Sequence, residues 1–104
     1  MPVYLVERRL RGATMESLEM LRHRTEEACR SATARGKTVR YLRSTFAPGE
    51  SRCQCLFEAS SSDLVCEVND AAGFTYERIM LAIELGRMQS GAGLKLNHYP
   101  TQRS

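Results

Sequence analysis

Four segments of the chain alternate apolar and polar residues with a period of two. This period is typical of β-strands, because successive side chains of an extended chain point to opposite faces. The last of the four also fits a helix, but its alternation of Ile79, Leu81 and Ile83 favours a strand. The predicted strands are residues 3–10, 38–46, 52–59 and 77–85.

Two further segments repeat their apolar residues at the spacing of an α-helix. The first runs from Thr14, a candidate N-cap, to Gly36, which fits a helix stop. The second follows the N-cap candidates of residues 60–63 and closes at Gly73. Together with the strands, these helices give the order β-α-β-β-α-β.

This order predicts an α+β fold, the ferredoxin-like βαββαβ sandwich. Right-handed crossovers place both helices on one face of a four-stranded antiparallel sheet. We expect the domain to span residues 1–86. Residues 87–104 are expected to form a flexible C-terminal tail, because the apolar pattern fades there.

The other face of the sheet is predicted to lack a helical cover. It would carry Tyr, Cys, Phe and aliphatic side chains, and Glu7, Arg43 and Cys55 would meet the uncovered space. Large exposed apolar patches usually mark an interface or a ligand groove. We therefore expect a homodimer that packs through the open sheet face, as a dimeric α+β barrel-like assembly.

Composition narrows the class of protein without defining an activity. The chain has 104 residues, a net charge of +3 and no run of about 18 apolar residues that would span a membrane. This basic excess falls short of a nucleic-acid footprint, so neither a nucleic acid nor a membrane is an expected partner. The first residues lack the pattern of a secretory signal, so we predict a cytoplasmic protein whose four cysteines are reduced.

Two of the cysteines are candidate metal ligands. Cys53 and Cys55 are two residues apart, so on a strand their thiols share one face. Two thiolates suit a soft or borderline ion such as Ni or Zn, but a site needs further ligands. The alternative is that both thiols are buried and inert. The available further donors are Glu7, His23, Cys66 and His98.

The neighbours Glu7 and Arg8 predict that one charge enters the protein. They are adjacent on a strand and point to opposite faces, and an inward charge needs a partner. The functional interpretation is a polar cluster that binds an anionic or carbonyl ligand, with Glu7, Tyr41 and Arg43 as candidate binding residues. The alternative is a structural ion pair. The possible partners on other strands are Arg43, Arg78 and Glu84.

Motifs for nucleophilic catalysis and for dinucleotide or phosphate binding are absent from the sequence. Three functions remain open. The first, which we rank highest, is a small dimeric ligand- or metal-binding protein. The second is a cofactor-free enzyme of the dimeric α+β barrel type, similar to a monooxygenase or an isomerase, which would use a cavity between sheet and helices. The third is a pure interaction module.

Several short stretches resemble a known family. They are residues 4–8, 55–59, 71–74 and 77–79. Together they resemble the nickel-binding-protein-like family of small ferredoxin-like proteins, over about residues 2 to 85. The resemblance implies a ferredoxin-like fold, a dimer and, in some members, a metal site. Cys55 matches a strand cysteine of the family, whereas Arg43 and Asn69 stand where members often have histidine.

Overall fold

The structure, a computed structural model, describes residues 1–85. It confirms the predicted α+β fold and the order of its elements. The predicted tail, residues 87–104, lies outside the described residues. No helix of residues 1–85 is long and apolar enough to cross a membrane. The elements are β1 (Val3–Arg9), α1 (Met15–Ala34), β2 (Val39–Ala47), β3 (Arg52–Ala59), α2 (Ser62–Ala72) and β4 (Arg78–Ala82).

The strands form one antiparallel sheet in the order β2-β3-β1-β4. In this order β3 and β1 are central, and each pairs with a strand on both sides. Val6 on β1 stands opposite Cys55 on β3 and opposite Ile79 on β4. Directly opposite residues share a face, so these three side chains lie on the side that the helices cover.

Both helices begin at side chains that satisfy free backbone groups. Thr14 and Ser17 form a capping box, in which the Thr14 hydroxyl accepts from the Ser17 amide at 3.0 Å and the Ser17 hydroxyl accepts from the Thr14 amide at 2.8 Å. Ser61 accepts from the Leu64 amide at 3.2 Å and begins α2. α2 ends at Gly73, whose φ of 87° is left-handed and therefore favours glycine.

The hydrophobic core lies between the sheet and the helices. Phe57 at the centre of β3 is fully buried, and its ring meets that of Tyr41 edge to face at 5.6 Å between centroids. Val6 and Val65 are also fully buried. Side chains therefore fill the centre of the layer between the sheet and the helices.

The prediction that cysteine and aromatic side chains line the open face is wrong for β3. Cys53, Cys55 and Phe57 are at most 1% exposed and lie under the helices. Alternation defines two faces of a strand but does not say which face the helices cover, and here the covered face is the one that carries Val6. The open face carries half-buried apolar side chains and charges, among them Leu5, Glu7, Leu56 and Met80.

A β-bulge reverses the faces in the second half of β2. Tyr41 stands opposite Phe57, but Arg43 rather than Leu42 stands opposite Leu56. Two residues of β2 thus oppose one residue of β3, and the alternation shifts by one position. The even alternation predicted for residues 38–46 is therefore wrong beyond Leu42.

The bulge brings Ser44 and Phe46 to the covered side of the sheet. Ser44 stands opposite Cys55, and Phe46 stands opposite Cys53. Arg43 instead lies at the edge of the open face, where its guanidinium pairs with the Glu84 carboxylate at 2.5 Å. Because β2 and β4 are opposite edges of the sheet, this pair shows that the chain after β4 crosses the open face.

Candidate functional site

A buried arginine marks the centre of the site. Arg8 on β1 is 1% exposed and points toward the helices. Its Nη2 donates to Asn69 Oδ1 at 2.5 Å, and its Nη1 donates to the Thr75 carbonyl at 3.3 Å. Its Nε has no hydrogen-bond partner among the described residues. A guanidinium stays protonated in a protein, so this buried cation needs a compensating negative charge nearby.

The amide of Asn69 is oriented by its own helix. Asn69 is fully buried on α2, and its Nδ2 donates to the Val65 carbonyl one turn earlier at 2.8 Å. That bond directs the amide oxygen toward Arg8, where it accepts the guanidinium hydrogen bond. Asn69 is thus a neutral partner that fixes the position of the cation without neutralising it.

The compensating charge is the thiolate of Cys55. Its Sγ lies 3.8 Å from Arg8 Nη2, 3.8 Å from Cys53 Sγ and 2.9 Å from the Ser44 hydroxyl, which donates to it. The hydrogen bond from Cys53, the charge of Arg8 and the hydrogen bond from Ser44 lower the pKa of Cys55 to about 6, although burial opposes them. The same contact raises the pKa of Cys53, which stays a neutral thiol.

These five residues, Arg8, Ser44, Cys53, Cys55 and Asn69, are called the Arg8–Cys55 cluster below. The cluster is connected to solvent through β2. Ser44 is exposed, and its hydroxyl also contacts the Tyr41 hydroxyl at 2.6 Å. Burial raises the pKa of Tyr41, so this hydroxyl remains protonated. Ser44 is therefore the link between a buried thiolate and the surface.

A groove runs between α1 and the edge strand β2, beside the cluster. It consists of a cavity of 610 Å³ and a cavity of 330 Å³ that share Glu26 and Tyr41 as lining residues. Ser44 and Cys53 lie in the wall of the smaller cavity. This α1–β2 groove therefore reaches two of the residues that touch the Cys55 sulfur.

The groove has an apolar wall and a charged rim. The rim arginines are already paired: Arg22 contacts Glu19 at 2.8 Å and Glu26 at 3.1 Å, and Arg40 contacts Glu58 at 2.7 Å. Such exposed pairs contribute little to stability and exchange partners easily. The apolar wall is formed by Leu18, Leu21, Val39, Leu42 and Phe46.

The candidate binding residues are only partly brought together. Tyr41 and Arg43 both line the smaller cavity of the groove. Glu7 lies on the open face, where it accepts from Arg78 Nε at 2.8 Å and from Gln54 Nε2 at 3.0 Å, and these bonds lower its pKa. Glu7 therefore forms the structural ion pair that was the alternative interpretation.

Sequence reasoning missed Arg8, Ser44 and Asn69 as members of one cluster. It did predict that Glu7 or Arg8 must point inward, and the inward residue is Arg8. A second signal was available in α2, where the amide of Asn69 interrupts the apolar stripe of Val65 and Val68. The position of Ser44 depends on the bulge, for which the residues of β2 give no marker.

The donor set does not fit a metal ion within residues 1–85. The structure brings the Cys53 and Cys55 sulfurs together, but the described part of the chain contains no group of three or more His, Cys, Asp or Glu residues that could hold a metal. A third and fourth ligand are needed for Zn or a similar ion. In addition, the Arg8 cation already occupies one side of the Cys55 sulfur. His23 is exposed on α1, and His98 lies outside the described residues.

The thiolate predicts a pH-dependent stability. The pKa of Cys55 is about 6 in the folded protein against an ordinary value of 9.0, so the stabilising contribution of the thiolate is complete above pH 9 and is lost as the pH falls through 6. The free energy of unfolding of the wild type, measured in urea under reducing conditions, is expected to rise from pH 6 to pH 9 relative to that of Cys55→Ser. Parallel pH profiles for the two proteins would contradict a Cys55 thiolate.

A family model described as nickel responsive protein SCO4226-like matches residues 4–81. Among solved structures, the crystal structure of SCO4226 from Streptomyces coelicolor A3(2) superposes with a TM-score of 0.64 at 20% identity, covering 77% of this chain and 94% of that chain. At this identity, the likeness establishes the fold alone. No curated protein matches the chain significantly.

Proposed function

The chain belongs to the SCO4226-like family of nickel responsive proteins, and from this premise we propose that it is a small, non-catalytic binding protein whose ligand occupies the α1–β2 groove. The observation that carries the proposal is the pair of adjoining cavities of 610 and 330 Å³. Ligand sites are commonly clefts of about 300 to 1,000 Å³ with apolar walls and a few polar groups. The groove has this size and composition.

The lining indicates the chemistry of the ligand. An apolar wall with the rings of Tyr41 and Phe46 suits an aromatic or aliphatic body. The rim arginines Arg22, Arg40 and Arg43 suit a carboxylate or another acidic group, because a guanidinium binds such groups through two parallel hydrogen bonds. We therefore propose an amphipathic organic acid as the ligand class.

A bare nickel ion is not the ligand that we propose for the groove of one chain. The family description mentions a response to nickel, but the described residues offer only two clustered sulfurs, one of which already contacts the Arg8 cation. The cofactor-free enzyme is not proposed either, because the family description names a response to nickel and no reaction.

Binding of 1-anilinonaphthalene-8-sulfonate, an aromatic anion, tests the groove. Titration of the folded protein is expected to give saturable fluorescence with one site per chain. Ala34→Trp, at the exposed end of α1 and in the groove wall, is expected to weaken binding about tenfold or more, because the added ring occupies part of the larger cavity. His23→Trp is the matched control, because His23 is also exposed on α1 but lies outside the groove. Equal affinity in both variants would exclude the groove as the site.

We also propose that the protein is a homodimer in which a second copy covers the open sheet face. Support comes from two large apolar side chains in the segment after β4, since Ile83 and Leu85 are each at least 67% exposed. Exposed apolar side chains in one place favour an interface. Carboxylates and guanidiniums occur together on the same face, so two copies related by a twofold axis present opposite charges to each other.

Light scattering tests the dimer. The wild type is expected to give twice the 11.7 kDa mass of the chain, and Ile83→Lys is expected to give the mass of one chain. Met15→Lys is the matched control, because Met15 is 71% exposed and lies at the start of α1. A mass of 11.7 kDa for the wild type, or a dimer that survives Ile83→Lys, would refute this interface.

A further inference from the structure

We propose that Cys55 is an oxidation site for hydrogen peroxide and that Cys53 is its resolving thiol. This inference does not depend on which ligand the α1–β2 groove binds or on the dimer. It concerns the Arg8–Cys55 cluster, of which Ser44 and Cys53 lie in the wall of the groove.

The contacts of Cys55 make it the most reactive thiol of the described chain. A guanidinium and a hydroxyl donate to its sulfur, and both stabilise the negative form that attacks an oxidant. Cys29 has no such donors from a side chain, and burial raises its pKa to about 11. Cys55 and Cys29 therefore differ in reactivity although both are buried.

The size of the access route points to a small oxidant. Cys55 is fully buried, but Ser44 is exposed and touches its sulfur at 2.9 Å. The neighbouring cavity of 330 Å³ ends at Ser44 and Cys53. A molecule of two oxygen atoms needs only a small displacement of Ser44 to reach the sulfur, whereas a bulky electrophile would require the strand to separate from α1.

The cluster also supplies hydrogen-bond donors for the peroxide oxygens. Arg8 is 1% exposed, and its Nε–H has no partner among residues 1–85. A buried donor without a partner costs free energy until it finds an acceptor. Together with the Ser44 hydroxyl it can stabilise the negative charge that develops on the departing oxygen.

The first step forms sulfenic acid. The Cys55 sulfur attacks one oxygen of hydrogen peroxide, an S–O bond forms, the O–O bond breaks, and hydroxide leaves. Hydroxide takes the proton of the Cys53 thiol and becomes water. Sulfur gives up two electrons, which reduce the peroxide.

The second step forms a disulfide. The Cys53 thiolate attacks the Cys55 sulfenic sulfur, the S–O bond breaks, and the released hydroxide takes a proton from solvent. The two sulfurs start 3.8 Å apart. Residues two apart on a strand have Cα atoms about 6.5 Å apart, at the upper end of the range of about 4.4 to 6.8 Å found for disulfides. The bond is therefore attainable with a local contraction of β3.

Mass spectrometry of the full folded chain tests the proposal with hydrogen peroxide as the oxidant. The mass of the wild type is expected to fall by that of two hydrogens, as a disulfide forms between Cys53 and Cys55. In Cys53→Ser, sulfenic acid is expected to form at Cys55 about tenfold or more faster than at Cys29 in the same molecule, because only the Cys55 sulfur accepts from Arg8 and Ser44. The sulfenic acid is labelled by unfolding the chain in dimedone after the peroxide has been removed. Oxidation first at Cys29 or Cys66, or at equal rates, would overturn the proposal.

A surface variant keeps the test informative if Cys53→Ser does not fold. Ser44→Ala removes one donor from the exposed side of the cluster and is expected to slow oxidation of Cys55 several-fold with an unchanged circular dichroism spectrum. Ser31→Ala is the matched control, because Ser31 is an exposed serine on α1 that does not touch the cluster. Equal oxidation rates in Ser44→Ala and the wild type would show that Ser44 does not support the reaction and would count against the site.

Discussion

Arg8→Met is expected to lower the free energy of unfolding by about 3–5 kcal/mol, the usual cost of removing one partner from a buried charged cluster. The substitution leaves Asn69 Oδ1, the Thr75 carbonyl and the Cys55 sulfur without their shared donor. Protonation of Cys55 would relieve part of the loss, so its pKa should rise and the gain in stability between pH 6 and 9 should shrink, while the hydrogen bonds from Cys53 and Ser44 remain. Urea unfolding followed by circular dichroism measures both effects.

The adjacent residue provides the control for Arg8. Arg9 is exposed, and its only described ion pair is a contact of 3.7 Å with Glu77, so Arg9→Met is expected to cost at most about 1 kcal/mol. The double variant Arg8→Met with Asn69→Leu is expected to lose less free energy of unfolding than the sum of the losses of the two single variants. The reason is that the Arg8 guanidinium and the Asn69 amide are removed together, so neither is left buried without the other. Equal costs at positions 8 and 9 would show that the cluster does not stabilise the fold.

Phe57→Ala is expected to lower the free energy of unfolding by about 3–5 kcal/mol, the range observed when a buried Phe is truncated. Phe57 is fully buried on a central strand, so its truncation leaves a cavity that the surrounding side chains cannot close completely. Its loss also removes the edge-to-face contact that holds Tyr41 in the wall of the α1–β2 groove. The variant should therefore bind the anilinonaphthalene probe more weakly, in addition to unfolding at lower urea concentration.

Phe46→Ala is the control for Phe57. Phe46 also faces the helices, but it is only partly buried near the end of the edge strand β2, so truncation leaves a smaller cavity. We expect a loss clearly below that for Phe57→Ala in the same urea experiment. Similar losses for the two variants would mean that the core is not centred on β3.

The order of the elements and several of their bounds could be predicted from the sequence because they depend on local periodicity, but the strand predicted at residues 77–85 spans only Arg78–Ala82. The strand predicted at residues 52–59 matches β3 at both ends, and the helix predicted after Thr14 begins at Met15. The face of Cys55 could not be predicted, because alternation is symmetric between two faces and only the helices distinguish them. The pairing of Arg8 with Asn69 joins residues 61 positions apart, and no local pattern encodes it.

For the candidate binding residues as well, the sequence predicts some contacts and not others. Tyr41 and Arg43 are predicted to share one face of a strand, and although the bulge separates their faces, both line one cavity. Glu7 is predicted to join them in a polar cluster, but it pairs with Arg78 on the adjacent strand instead. The sequence therefore predicts which residues need a polar partner better than it predicts the partner.

The bulge in β2 has a consequence for how relatives of this chain are aligned. Leu42 and Arg43 together oppose Leu56. Counting every second residue from Tyr41 therefore gives the wrong face of the sheet for the residues after Leu42. A single-residue deletion at Leu42 would remove the bulge and leave Arg43 opposite Leu56 and Ser44 opposite Cys55. In a relative without the extra residue, the side chain equivalent to Ser44 is found by inserting a gap at this position, and an ungapped comparison would assign the neighbour of the buried sulfur incorrectly.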